Sequence, residues 1–189
     1  PILRIVPFLC STAITIALVA VLDRPLGKVP PVGSFFSPQY GFWQNAEPIE
    51  QDFGGSLNMK GVQGPVEVYF DDRLVPHIYA DNDEDAYFVQ GYLHAQFRLW
   101  QMDFQTRVAA GRLSEIAGAD KLSIDKFFRR LGMVYGAEQT ERMINETNPV
   151  MKATVDAYTA GVNAYMKQLS PENIPFEYKL MNYQPEEWT

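Results

Sequence analysis

Residues 76–115, PHIYADNDEDAYFVQGYLHAQFRLWQMDFQTRVAAGRLSE, combine a helical apolar repeat with polar side chains at places where that repeat would ordinarily hold leucine or alanine. Phe88, Tyr92, Ala95, Leu99 and Met102 share one stripe at α-helical spacing, and Val89, Leu93, Trp100 and Phe104 widen it until most of the circumference is apolar. A helix of that kind is interior, so the rest of the chain has to pack around it. His94, Gln96 and Arg98 then stand where a buried polar group is costly unless it finds a partner, which marks them for specific contacts. Asp103 and Arg107 are four apart with the acid first, the better orientation for a surface pair, and Gly111 supplies the stop.

The acids at 81, 83 and 85 repeat like those of a calcium loop, but Ala86 and Tyr92 occupy the positions where such a loop needs glycine and glutamate. They read instead as a capped helix start: acids there favour the macrodipole, and Asp81 with Glu84 has capping-box spacing.

Upstream, Val66, Val68 and Phe70 alternate with Glu67 and Tyr69, Asp71-Asp72 supplies turn chemistry, and a second short strand follows at residues 77–80. Two strands cannot bury a sheet alone, so this hairpin is expected to join strands supplied from elsewhere. Downstream, one helix is expected over residues 123–144, carrying Phe127, Phe128, Leu131 and Val134. Another opens with Asn148 as cap and Pro149 in the first turn, and turns Val150, Ala153, Ala157, Gly161 and Tyr165 toward a neighbour. The class is α+β: helices wrapped around a sheet made mostly outside this stretch.

Of 189 residues, 47% are hydrophobic and 21% charged, ordinary globular usage apart from the first segment. A net charge of −7 with no basic cluster argues against nucleic acid as a partner. The single cysteine, Cys10, excludes an internal disulfide. Ile5 to Leu22 read IVPFLCSTAITIALVAVL, uncharged and near the lower length limit for a membrane-spanning helix. The segment is an anchor, a signal peptide or a buried helix; a cleavage site at Ala20 would leave Leu18 at −3, a poor fit, so an anchor over residues 1–23 is favoured. Arg4 on one flank and Arg24 and Lys28 on the other leave orientation undecided by charge. Residues 24–54, rich in proline and glycine, read as a tether whose Phe35, Phe36, Tyr40, Phe42 and Trp43 dock on the chain's own body, a membrane interface or a partner. Residues 55–189 form the body.

Individual candidates are few. His77 and His94 stand on different elements without a nearby cysteine and make no closed zinc site. His94 reads as a satisfied core histidine and His77 as a residue ordering the hairpin. Ser114 in GRLSE lacks the nucleophile-elbow pattern and reads as a helix cap. The sequon Asn145-Glu146-Thr147 is assigned no role.

The order PVEVYFDDRLVPHIYA, DEDAYFVQGYLHAQFRLWQMD, GRLSE and the late NYQPEEWT resembles the α region of the penicillin acylase family of N-terminal-nucleophile hydrolases. The resemblance covers residues 55–189. It implies an αββα fold whose main sheet is completed by a β region absent from this chain, and a precursor that cuts itself so that the β region begins with a serine. That serine is the nucleophile and its own α-amine, of pKa roughly 7.7–8, the base. No catalytic residue is therefore assigned here. Tyr92, His94, Gln96, Arg98 and Trp100 are expected to scaffold the acyl pocket. The resemblance implies no certain cofactor, and any structural calcium has ligands beyond Thr189.

Partners implied are the β region after autocleavage, membrane lipid along Ile5 to Leu22, and possible proteins of a membrane complex. The location implied is the bacterial cytoplasmic membrane with the body in the periplasm. The expected reaction is hydrolysis of a linear amide in an N-acylated substrate; a catalytically silent accessory subunit is the alternative. Two departures bear on it. The family motif HAQDRL has Phe97 here in place of aspartate; if that aspartate pairs with the adjacent arginine, Arg98 needs another acceptor here or the interface is rebuilt. Leu74-Val75 stand where a glycine usually precedes PHI.

Overall fold

The computed structural model describes residues 2–27, 29–46, 54–57 and 59–189, and side chains from Ile5 onward. Arg4 and Lys28, invoked for orientation, and residues 47–53 of the expected tether therefore lie outside the described side chains. Along the chain run α1 (Ile2–Leu22), α2 (Trp43–Ala46), β1 (Val66–Phe70), β2 (Pro76–Ala80), α3 (Asp83–Ala109) and α4 (Leu113–Ala117). A 3-10 turn at Ala119–Lys121 leads to α5 (Leu122–Leu131), α6 (Met133–Thr147), α7 (Pro149–Met166) and α8 (Phe176–Met181). Two compact units result: Pro1–Pro48 with Pro171–Gln184, and Ile49–Ser170 with Pro185–Thr189. Residues 171–184, counted with the body in the sequence, thus cluster with the segment that follows α1.

In the larger unit β1 and β2 pair antiparallel with Val68 opposite Ile78. Val66, Val68, Phe70, Ile78 and Ala80 share the half-buried face, and Glu67, Tyr69, His77 and Tyr79 the exposed one. The turn is tied by Asp71, whose Oδ1 accepts from the amides of Arg73 (2.9 Å) and Val75 (2.8 Å). Leu74 closes it at φ 59°, a left-handed conformation that glycine adopts far more readily.

Helix α3 starts on Asn82, whose Oδ1 accepts from the Asp85 amide at 2.8 Å. This corrects the expected Asp81–Glu84 box. Asp85 is buried and receives the amides of Gln63 (2.8 Å) and Gly64 (2.9 Å) and the side-chain amide of Asn82 (2.8 Å). Burial alone would raise the Asp85 pKa, but these donors hold its carboxyl below the usual range. Both oxygens face N–H groups, which suits a loop anchor and not a cation ligand.

The core forms where α3 crosses α7. Phe88, Val89, Tyr92 and Leu93 are buried against Val66, Val68, Phe70 and Ile78 of the hairpin and Ala157, Ala164 and Tyr165 of α7. Burial of such side chains contributes roughly 1.5–3 kcal/mol each. The crossing is close at two points: a Cβ on Gly91 would lie 2.1 Å from the Tyr158 carbonyl oxygen, and one on Gly161 only 1.9 Å from that of Phe88. No side chain fits at either place without moving backbone.

The expected single helix over residues 123–144 is two helices. Gly132, at φ 69°, ends α5 in a left-handed cap and starts α6. Of the apolar residues expected on that helix, Phe127, Leu131 and Val134 are exposed. Asn148 and Pro149 open α7 as expected, with Asn148 Oδ1 accepting from the Met151 amide at 3.0 Å.

In the smaller unit, α1 exposes its apolar residues along its length, and among the described residues Ile5–Leu22 is the one segment long and apolar enough to cross a membrane. Beyond it the chain turns back, and the Leu22 carbonyl accepts the amides of both Val32 (3.0 Å) and Gly33 (2.9 Å). Phe35 stacks on Phe42 (5.1 Å between centroids) and meets Phe176 of α8 edge-on at 5.4 Å. Part of the expected aromatic docking is therefore onto residues 171–184. Lys179 reinforces the same cluster by donating to the carbonyls of Gly41 (3.0 Å) and Pro171.

Candidate functional site

The five residues expected to scaffold a pocket occupy two sides of α3, because at about 100° per residue every second position crosses the helix. Tyr92, Gln96 and Trp100 form one row and His94 and Arg98 another. Tyr92 is buried, meets Tyr165 edge-on (5.5 Å) and donates to Gln168 Oε1 at 3.1 Å; burial pushes its hydroxyl pKa up. Trp100 stacks on Phe104 (4.9 Å), and its buried Nε1 has no acceptor among the described residues. Gln96 is half-buried between them.

The other row is open. His94 is exposed and lies 3.0 Å from the Tyr158 hydroxyl through Nδ1, so it is not the core histidine the apolar pattern suggests. Arg98 is also exposed and donates to Gln101 Oε1 at 3.3 Å, the alternative acceptor its altered motif calls for. Phe97 meets Phe70 of β1 edge-on at 6.2 Å. Tyr87, His94, Phe97, Arg98, Gln101 and Gln105 leave one stripe of α3 uncovered, while most of its circumference is covered as expected.

The strongest polar cluster lies where the sequence suggested a surface pair. Arg107 and Asp103 are 5% and 6% exposed, and Arg107 Nε donates to Asp103 Oδ1 at 3.0 Å. Arg107 reaches Glu115 (3.4 Å) and Glu186 (3.2 Å) as well. Arg112 joins the same two acids, holding Glu186 through Nη1 (2.9 Å) and Nη2 (2.8 Å). Bidentate bonds from Arg112 come first in holding Glu186 down to about 2, and in the reverse sense they raise the Arg112 pKa. Asn163 adds a two-point grip on the Trp188 backbone, donating to its carbonyl (2.8 Å) and accepting from its amide (2.9 Å). Residues 185–189 are thereby locked to GRLSE and to α7.

Ser114 does not cap its helix. The buried Asp125 carboxylate accepts the amides of Leu113 (2.8 Å) and Ser114 (2.9 Å), and Arg129 Nε donates to the Gly111 carbonyl at 2.8 Å. Asp125 and Arg129, one turn apart on α5, form the cradle of the GRLSE turn; their four-residue spacing was the available signal. Burial would raise the Asp125 pKa, but the Ser114 and Leu113 donors and the Arg129 charge hold it below its usual value. Neither histidine lies against a hydroxyl of a serine: His94 meets Tyr158, and His77 stands 3.8 Å from Asp71. What is assembled here is a rigid polar scaffold.

The family model for penicillin amidase matches residues 65–189. The chain belongs to the penicillin amidase family. Penicillin acylase 2 proenzyme of Pseudomonas sp. (strain SE83) is 40% identical over 134 residues, which cover 71% of this chain and 17% of that protein. Acyl-homoserine lactone acylase QuiP of Pseudomonas syringae pv. syringae is 34% identical over 134 residues, covering 71% and 16%. A solved structure of a thermostable penicillin G acylase from Alcaligenes faecalis aligns with a TM-score of 0.60 at 31% identity, over 66% of each chain. The chain thus spans about a sixth of the curated relatives' length. Penicillin amidase similarity accordingly covers the hairpin, the α3–α7 crossing and the Arg107–Arg112 network, while α1 and the aromatic cluster after it precede the matched range.

Proposed function

We propose that this chain is part of an amidohydrolase that cleaves a linear amide in an N-acylated substrate, of the penicillin or acyl-homoserine-lactone type. The nucleophile is the N-terminal serine of a β region released by autocleavage. The observation that carries this reading is the 40% identity to a penicillin acylase proenzyme over 134 residues. The physical state of the chain supports it. The hairpin is a two-stranded sheet, too small to stand alone. Phe127, Leu131, Val134 and Tyr135 on α5 and α6 are exposed apolar groups of the sort that mark a buried contact elsewhere. A β region covering these surfaces would complete the fold, with α3 as scaffold beside the acyl pocket. Helix α1 holds the enzyme to the bacterial cytoplasmic membrane with its body in the periplasm.

N-terminal sequencing and intact mass of protein purified from membranes test this directly. A second, larger chain beginning with serine, together with release of free amine from a panel of N-acyl amides, is expected. A single uncut chain without hydrolysis would instead make it an accessory subunit.

A further inference from the structure

We infer that the segment folded back onto the end of α1 is a membrane-interfacial foot, with Leu26, Val29, Phe36, Tyr40 and Trp43 seated among lipid headgroups and upper acyl chains. The inference rests on the reading of α1 as a bilayer span. At 21 residues and about 1.5 Å per residue, α1 is about as long as the ~30 Å hydrocarbon layer, so its C-terminal end falls at a membrane boundary.

The chain does not leave that boundary. Leu22, the last helical residue, accepts both the Val32 and the Gly33 amides, which fastens residue 33 to the end of the span. Phe36 then bonds back to the Val32 carbonyl (3.2 Å), and Phe42 to that of Phe35 (2.9 Å), so the aromatic run is wound up close to the helix end instead of extending away. The ring stack continues through Phe42 to Trp43 at 4.1 Å.

Two features suit this surface to lipid. Its backbone is largely self-satisfied: Leu26 and Val29 exchange both amide–carbonyl bonds at 3.0 Å, so these two residues can bring their exposed side chains into an apolar layer with their own peptide groups paired. Its exposed rings are amphipathic. Tyr40 is 71% and Trp43 51% exposed, and these are the residue types enriched where one end of a ring is wet and the other apolar. Continuity with an apolar span names the occupant: the bilayer that surrounds α1 also borders the foot.

Spin labels on the full protein in phosphatidylcholine–phosphatidylglycerol vesicles test the assignment, in a Cys10→Ser background. Tyr40→Cys and Leu26→Cys probe the foot, Ile14→Cys the middle of α1, and Glu141→Cys the aqueous phase. Electron paramagnetic resonance compares collision with oxygen, which concentrates in lipid, and with a water-soluble nickel chelate. The expected result is deep immersion at position 14 and a shallow, headgroup-level depth at 26 and 40. A deep label at 14 with foot labels as chelate-accessible as position 141, or shielded from both reagents by protein, overturns the foot and leaves the span standing. A label at 14 outside the bilayer overturns both.

Discussion

Arg112 holds Glu186 through two nearly parallel hydrogen bonds of 2.9 and 2.8 Å, and so joins two motifs 74 positions apart. With the folded-state pKa of Glu186 at about 2 against an ordinary 4.5, this pair stabilises the fold fully above pH 4.5. That contribution is lost as pH falls from 4.5 toward 2, because the unfolded state takes up the proton first. Glu186 is 55% exposed on its side chain, so solvent screening limits the effect to about 1 kcal/mol. Urea midpoints measured at pH 6 and pH 3 should lie closer together in Glu186→Gln than in the native protein. An unchanged acid slope would remove the pair from the account of stability.

The α3–α7 crossing makes an opposite prediction for two glycine-to-alanine changes. Gly161→Ala puts a methyl group 1.9 Å from the Phe88 carbonyl oxygen, so the helices must separate, and overpacking of this kind costs about 1–3 kcal/mol or more. Gly136, inside α6 with open space around its Cβ position, gains up to about 1 kcal/mol from the better helix propensity of alanine. Thermal melts of the two variants should therefore shift in opposite directions.

Those contrasts show what could be read from sequence and what could not. The hairpin, the Asn148-Pro149 start and the Gly111 stop were legible because each depends on a few adjacent residues: alternation, a capping side chain, a glycine at φ 64°. Asp103 and Arg107 have the spacing of an exposed pair, and the contacts of Arg107 with Glu115 and, from far along the chain, Glu186 make this buried pair the centre of a larger network. Gly132 breaks an otherwise continuous helical pattern by taking a left-handed conformation, and the glycine itself is the one local trace of that break. The five residues expected to scaffold a pocket share one helix, but alternate positions on a helix face apart, and so His94 and Arg98 lie on the open stripe away from Tyr92 and Trp100.

Asp125 is the next most sensitive position. Its two oxygens each receive one backbone amide from the GRLSE turn, and alanine would leave the Leu113 and Ser114 amides without acceptors in a largely buried place. Each lost acceptor costs about 1–3 kcal/mol. Asparagine keeps one oxygen but turns an NH2 toward the second amide, so it should recover only part of the loss. Hydrogen exchange at Leu113 and Ser114 is the direct check: both should become fast in Asp125→Ala and one should stay slow in Asp125→Asn.

Leu74 marks a place where the chain can be improved. It is exposed, it closes the Asp71 turn at φ 59°, and no side-chain interaction with the described residues offsets a left-handed backbone that costs an L-residue about 1–2 kcal/mol. Glycine removes that strain but gives back roughly 0.5–1 kcal/mol through the greater freedom of the unfolded chain. Leu74→Gly should therefore raise stability by about 0.5–1 kcal/mol while keeping the Val68–Ile78 register and the Asp71 bonds to Arg73 and Val75. A denaturant titration decides the sign. Destabilisation would mean that the Leu74 side chain contributes more to the folded state than its left-handed backbone costs.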